Sequence, residues 1–538
     1  MTEPVDGQQH RSTVQRASGG SSVQRASGGD SPTGEPLCAT DQPWNAPLAH
    51  GPLAATIKVP GSKSMTARYL VLAALAAGPT HLQGALRSRD ADLMIAGLEK
   101  LGCRITRDAA DLGITPHTVS QSAGPKRATS ATPNPRTTAT TPPTPTAPAA
   151  TDQLSALDRL GESTTPTTTN PANAIDALGG LDPHRPDATG TQPATKIDVG
   201  LAGTVMRFLP AVAALGAAPV YFDGDPAART RPMAPLLAAL ESLGAHVTYH
   251  QTAGQLPFTI TGPLRGGQVT LDSRASSQFA SALLLVGPAL PGGLDLTLVP
   301  PFLPSRPHVE MTIQALTGFG ASLKATTDTH WLVQSGGLTG QNMTVEPDLS
   351  NAAPFLAAAM VAGGQVTIQH WPAHTTQPGR LLIDYLTQMG AHVTYDARTQ
   401  ELTVNGRDGD IQGVDLDLSP AGELAPTLAA LATLANGPSR LTGIAHLRGH
   451  ETNRLAALVS EISRLGGQAK ELPDGLEIDP KPMHGTVLET YQDHRMATFG
   501  AIIGLRLPGL SVRNVATTAK TMPDFLDLWS QLGGSRRG

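Results

Sequence analysis

The chain has 538 residues, 40% of them hydrophobic but only 4% aromatic, so roughly two to four domains are possible, with cores built mainly from Leu, Ala and Val. A formal net charge of -5 gives no overall basic field, which argues against nucleic acid as the main partner. Two cysteines, Cys38 in a polar segment and Cys103 after Leu101-Gly102, make neither a disulfide framework nor a cysteine-based zinc site.

The first residues, "MTEPVDGQQHRS", carry no apolar signal-peptide core, and the longest apolar stretch, around 208–222, is broken by Pro210, Gly216 and Pro219. A soluble protein of a reducing, cytoplasmic compartment is expected. Residues 1 to about 45 are polar and repetitive, with "TVQRASGG" at 13–20 returning as "SVQRASGG" at 22–29. Such a segment buries too little apolar surface to offset its ordering entropy, so a disordered tail is expected.

The first strong helix signal is "PGSKSMTARYLVLAALAAG" at 60–78. Pro60-Gly61 marks a turn and Ser62-Lys63-Ser64 a helix start, with Arg68 one turn after Ser64. Cations at this end oppose the helix dipole, which favours Asp or Glu there. A Thr/Pro/Ala-rich stretch at about 116–194 follows ("TTATTPPTPTAPAATD") and reads as a solvated surface insertion, because long loops add little closure entropy.

Elsewhere an amphipathic helix ending in Leu-Gly or a close variant, then a short strand, recurs. The glycines are Gly102, Gly244, Gly320, Gly390, Gly466 and Gly533, spaced by 142, 76, 70, 76 and 67 residues. Glycine just past a helix end accepts the left-handed conformation cheaply. Repeats of this size hold several strands and more than one helix, giving an α/β or α+β class and suggesting two lobes of three.

The same pattern of cations recurs at other expected helix starts. Arg229 and Arg231 precede Pro232, Ser305 and Arg306 precede Pro307, and Arg207 follows the glycine turn of "GLAGTVMRFLP". His494 and Arg495 precede an apolar helix, "RGHETNRL" offers His450, Glu451 and Arg454, and Lys520 precedes Pro523. Each such cation costs roughly 0.3–1 kcal/mol against the dipole. A shared cleft binding a polyanion explains them together, since helix N–H groups beside Lys or Arg make anion sites. Ser276, Ser277 and Gln278 stand before a buried helix, as caps or as contacts to a hydroxylated ligand. "GSKS" lacks the G-x-x-x-x-G-K of a phosphate loop, and the histidines show no metal-ligand spacing, so no metal is expected.

In this order, "PGSKSMTAR", "GLAGTVMR", "TRPM", "SSQF", "GHETNRL", "DHRM" and "AKTMPDF" resemble the signatures of the enolpyruvyl transferases, over about 50–530 apart from the insertion. The resemblance implies a two-lobed inverse α/β barrel, with three βαβαββ-type repeats per lobe. The first lobe would hold 46–61 plus 346–538, and the second 62–345. The implied reaction moves the enolpyruvyl group of phosphoenolpyruvate to the 5-hydroxyl of shikimate 3-phosphate, with no cofactor and in a monomer. By similarity Lys63 touches both substrates. Ser64, Arg68, Ser276, Ser277, Gln278, Ser305, Glu423 and His450 lie on the shikimate side. Gly203, Arg231, Gln278, Arg454, Arg495 and Lys520 hold phosphoenolpyruvate. Glu423, where many relatives have Asp, maps to the base; Glu451 or Lys63 supplies the proton to the methylene carbon.

Several positions depart from the family pattern: His450 for Lys, His446 for Asn, His308 for Tyr, and Leu201 for Asn. With His at 450, substrate grip is expected to weaken above neutral pH. Two rival readings are the sister transferase acting on UDP-N-acetylglucosamine, which uses a loop cysteine or aspartate as acid, and a non-catalytic anion-binding relative. Retention of both glutamates argues against the second.

Overall fold

The run from Met65 to Ala73 is buried at every position, so the helix Lys63–Leu75 has no solvent face and reads as a core helix throughout. Ser62 caps it, accepting from the Met65 N–H at 3.5 Å. This is a computed structural model, and it describes residues 42–116, 194–300, 303, 305–407 and 409–533. Cys38, the repetitive tail up to 41 and the Thr/Pro-rich stretch at 117–193 lie outside the described residues.

Two separate apolar cores are present. One gathers Met65 to Val345 around the helices Lys63–Leu75, Gly203–Ala213 and Gln278–Val286. The other gathers Leu53 to Val59 with Leu349 to Leu532 around Leu349–Ala362, Ala425–Thr433 and His494–Gly504. Alanine and leucine dominate both, as the low aromatic content requires. Leu70 and Leu72 are fully buried, and truncating either to alanine costs about 2–5 kcal/mol.

Sheets cover these helices. Among the described residues there are five four-stranded sheets and one of three strands. In one, Thr195–Asp198 runs parallel to Val220–Asp223, Phe258–Thr261 pairs antiparallel with the latter, and His246–Tyr249 closes the edge. Strands such as Thr80–Gln83 alternate buried and exposed residues, so one face meets the helices and the other faces out. Trp44–Asn45, expected within the tail, instead pair antiparallel with Ser511–Val512.

The chain passes between the cores twice, at neighbouring points. Gly61 bridges Pro347, Ser62 N–H donates to Glu346 O at 2.7 Å, and Asp348 N–H donates to Pro60 O at 2.9 Å. Gly61 has no room for a side chain there: a Cβ would stand 2.1 Å from Gly84 O.

The punctuating glycines behave as expected at five positions. Gly102, Gly244, Gly320, Gly390 and Gly466 all have φ between 90° and 114°, each just past a helix and before a strand. Gly533 follows the helix Phe525–Gln531 without positive φ, donating to Ser530 O at 3.2 Å.

Candidate active site

Helix starts and turns from both cores line one cleft. Lys63, Ser64, Gly203, Arg231, Ser276, Ser277, Gln278 and Ser305 come from one side, and Glu423, His450, Glu451, Arg454 and Arg495 from the other. All of these were expected from the sequence, and the fold gathers them from distant stretches of chain. Arg207, His308, Asp348, Ser350, Gln377, His446 and His494 share the lining.

Four expected cations do not line it, and two of these pair elsewhere, Arg229 with Asp223 and Arg306 with Glu310 and Asp328. Arg68 is buried behind the wall. Its guanidinium donates to Thr312 Oγ1 at 2.8 Å and to the carbonyls of Ser64 at 2.8 Å and His308 at 2.9 Å, so it holds the Lys63 helix start in place. Lys520 stands behind Glu451, donating to its Oε1 at 2.8 Å and to Leu201 O at 3.2 Å. Nor do all the cations mark helix starts. Arg231 lies before the helix Ala234–Ser242, and Lys520 ends the short turn Val515–Lys520, because Pro232 and Pro523 belong to connections rather than to first helical turns.

Part of the charge expected to await a ligand is already balanced by carboxylates. Asp348 serves two helix starts at once: Oδ2 accepts the Lys63 N–H at 3.0 Å, and Oδ1 accepts the Asn351 N–H at 2.9 Å. Lys63 Nζ lies 3.4 Å from Asp90. Arg454 donates to Asp493 at 2.7 Å and to Glu451 at 2.8 Å, and Asp493 also accepts the Arg495 N–H at 2.8 Å.

Arg207 and Arg231 are different. Both are buried, and among the described residues neither has a carboxylate within ion-pair distance. Arg207 donates to Gln278 Oε1 at 2.8 Å and lies over the Phe279 ring, while burial, and then Arg231, lower its pKa well below the usual value. Gly203 lies between them. A Cβ there would be 3.1 Å from an Arg207 nitrogen, 3.2 Å from one of Arg231 and 3.3 Å from Gln278 Oε1. Two adjacent buried cations facing a space that glycine keeps open have the charge and the room that an anion requires.

The two glutamates are tuned in opposite directions. Burial raises the Glu423 pKa, outweighing its backbone hydrogen bond, Arg495 and Ser350. Burial works against ionisation of Glu451 too, but Lys520, Arg454 and Arg231 win and hold it well below the ordinary carboxyl range. His450 differs from its expected behaviour. Burial, and then Arg454, push its pKa well below 6.5, so the free protein holds it neutral instead of titrating it near neutrality.

Asp348, Asp493 and Asp90 were not found by sequence reasoning. Asp348 and Asp493 stand directly before apolar helical runs, so each carried an N-cap signal that does not distinguish a cap from a cleft residue. Arg207 is visible in sequence as a cation of "GLAGTVMR" and His446 as a departure from the family pattern, but neither carries a local signal of its place in the cleft.

Residues 48–133 and 182–529 match the family EPSP synthase (3-phosphoshikimate 1-carboxyvinyltransferase). A 3-phosphoshikimate 1-carboxyvinyltransferase of Kocuria rhizophila is 47% identical over 501 residues, covering 92% of this chain and 98% of its own length. One of Bifidobacterium longum is 46% identical over 502 residues, covering 90% and 97%. Among solved structures, EPSP synthase from Acinetobacter baumannii overlays with a TM-score of 0.65 at 23% identity, over 90% of this chain and 97% of that one. The enolpyruvyl transferase NikO from Streptomyces tendae gives 0.60 at 17% identity, over 90% and 96%, and these two likenesses speak for the two-lobed α/β fold alone. With its match along most of the chain and relatives near half identity, the chain belongs to the EPSP synthase family.

Proposed function

We propose that this chain transfers the enolpyruvyl group of phosphoenolpyruvate to the 5-hydroxyl of shikimate 3-phosphate, releasing phosphate. The observation that carries this is one cleft, walled by both cores, in which two buried arginines stand beside two oppositely tuned glutamates. Both substrates bear a phosphate and a carboxylate, and the cleft meets them with cations from either side. We read the lobes as 46–61 plus 346–538, and 62–345. Support comes from the two separate cores and the paired crossing at Gly61 and Pro347.

In this reading Arg231 and Arg207 face the phosphate or carboxylate of phosphoenolpyruvate beside Gly203, with Gln278 on the same wall. Ser276, Ser277 and Ser305 hold the acceptor. Glu423 takes the proton of the 5-hydroxyl as its oxygen bonds to C2 of phosphoenolpyruvate, and C3 gains a proton to become methyl. The tetrahedral adduct then loses a methyl proton as the C2–O bond to phosphate breaks. A buried carboxyl of raised pKa suits the base.

Glu451 is the proton donor to C3 in this scheme. Substrate anions beside Lys520, Arg454 and Arg231 offset the fields that keep it ionised, so its proton affinity rises on binding. Lys63, whose ammonium makes one 3.4 Å contact to Asp90, is the rival donor. The sister chemistry on a nucleotide sugar finds no support at Cys103, a buried thiol pushed up to about 11 by burial and Glu99.

Phosphate release with both substrates tests the reading: turnover is expected with shikimate 3-phosphate and not with UDP-N-acetylglucosamine, and the reverse result would overturn it. The phosphoenolpyruvate cradle also takes glyphosate in competition with that substrate; full turnover at saturating glyphosate would contradict the assignment of Gly203.

A further inference from the structure

The turn Ala445–Gly449 and the residue after it place two imidazoles side by side in the cleft wall, with ring centroids 5.6 Å apart. Their nitrogens are committed differently. Arg454 Nη1 lies 3.2 Å from His450 Nδ1, and a guanidinium can only donate, so Nδ1 accepts and the ring proton sits on Nε2. A second proton on His450 would set N–H against N–H. His446 has no such constraint: neither of its ring nitrogens has a hydrogen-bond partner among the described residues. Its ring edge fills the space beside Gly422, with Nε2 2.8 Å from where a Cβ would stand, next to the turn that carries Glu423.

We propose that His446 takes up a proton from solvent when the phosphorylated acceptor enters, while His450 stays neutral as a fixed Nε2–H donor, so that substrate binding is linked to protonation of one imidazole. The inference rests on the function proposed above and adds a role for His446. The charged and titratable groups around His446 come from several elements. Glu423 attracts the proton from the Gly422–Leu424 turn, while His308 and Arg454 oppose it from the helices Arg306–Gly318 and Arg454–Arg464. On its own turn, Arg448 is engaged with Glu471 and the carbonyls of Leu472 and Pro473.

In the free protein burial brings His446 to about 4, so it is neutral at physiological pH. A phosphate monoester adds about -1.5 to -2 charge at pH 7, besides the carboxylate of the acceptor. An uncommitted imidazole in the wall is then the group whose protonation balances that charge, and it gains a charge-assisted N–H donor in doing so.

Isothermal titration of shikimate 3-phosphate into the full chain at about pH 6, in buffers of different ionisation enthalpy, measures the protons exchanged. The ligand's own phosphate contributes equally in every variant, so the readout is the difference between proteins. An opposite charge nearby raises a pKa by about 1–3 units, so wild type is expected to take up about half a proton more than His446→Gln or His446→Asn. His450→Gln keeps an N–H donor, and should bind a few-fold more weakly while its proton uptake stays at the wild-type value. Equal uptake in wild type and both His446 variants, with binding and turnover intact, overturns this inference and leaves the functional reading standing. Loss of uptake in His450→Gln instead also overturns it. Failure of wild type to bind the ligand overturns both.

Discussion

Around Glu423 the counter-charges are few: Ser350 Oγ donates at 3.3 Å, and Arg495 acts on it from its own helix. Burial therefore dominates, and its folded pKa is raised while the unfolded value is ordinary. The native state then holds a proton that the unfolded chain has lost, so activity needing the ionised base appears only as pH climbs through the raised value. The acid limb of kcat/KM, which reports the free protein, is expected above pH 4.5, the ordinary carboxyl value. Glu423→Gln should lower kcat by about 100- to 10,000-fold and abolish that limb. Wild-type kcat in the Glu423→Gln variant would remove Glu423 from the chemistry. Gly203 allows a second test at this scale. The atoms a Cβ would crowd are ends of flexible side chains, so Gly203→Ala should fold normally. Its methyl would occupy the space between Arg207, Arg231 and Gln278, and KM for phosphoenolpyruvate should rise about tenfold, equivalent to about 1.4 kcal/mol. Steady-state kinetics with each substrate varied would show whether the defect is confined to phosphoenolpyruvate. At this scale the cations could be read from sequence, because a basic residue before an apolar run violates the dipole rule. The aspartates that balance them could not, since Asp348 and Asp493 obey it.

Helices supply the geometry in which those residues meet. The starts of Lys63–Leu75 and Leu349–Ala362 belong to different cores, yet one carboxylate, Asp348, accepts an N–H from each. That explains how a lysine is tolerated at the first position of a buried helix: the compensating anion comes from 285 residues away in sequence. Asp348→Ala removes the cap of Leu349–Ala362 and the bond to Lys63 N–H that supplements the Ser62 cap, so a loss of about 1–2 kcal/mol is expected in chemical denaturation. A midpoint equal to wild type would show that the two bonds contribute nothing. Element ends were legible where a local rule sufficed, as at Gly102, Gly244, Gly320, Gly390 and Gly466. They are not legible at Arg231 and Lys520, where a cation before proline suggests a helix start but the proline stands in the preceding connection. A proline fixes φ in either setting, so sequence alone does not separate the two.

At the level of the whole molecule, the repeat period indicates six units but not where the chain changes core; Gly61 and Pro347 are adjacent only in space, and the split came from family resemblance. The two walls also differ in kind. Arg454, on one, is bound to Glu451 and Asp493, so its removal leaves buried carboxylates short of a partner, at a cost of about 3–5 kcal/mol. Arg231, on the other, donates to Leu201 O at 3.2 Å, has no carboxylate within ion-pair distance among the described residues, and lies close enough to Arg207 to depress its pKa. Removing its charge relieves the repulsion on Arg207 but takes a cation away from Glu451 in the free protein, and in the complex it removes the proposed anion contact. Thermal unfolding of Arg454→Gln and Arg231→Gln, with and without both substrates, separates these effects. Without ligand, Arg454→Gln should melt well below wild type, and Arg231→Gln close to it, because relief of Arg207 and loss of the field on Glu451 oppose each other. With saturating substrates the wild-type melting temperature should rise, since a ligand at about 100-fold its Kd stabilises by about 2.7 kcal/mol. Most of that rise should vanish in both variants. If Arg231→Gln proved as unstable as Arg454→Gln without ligand, Arg231 would be a structural cation with a partner, and the anion site between it and Arg207 would be lost.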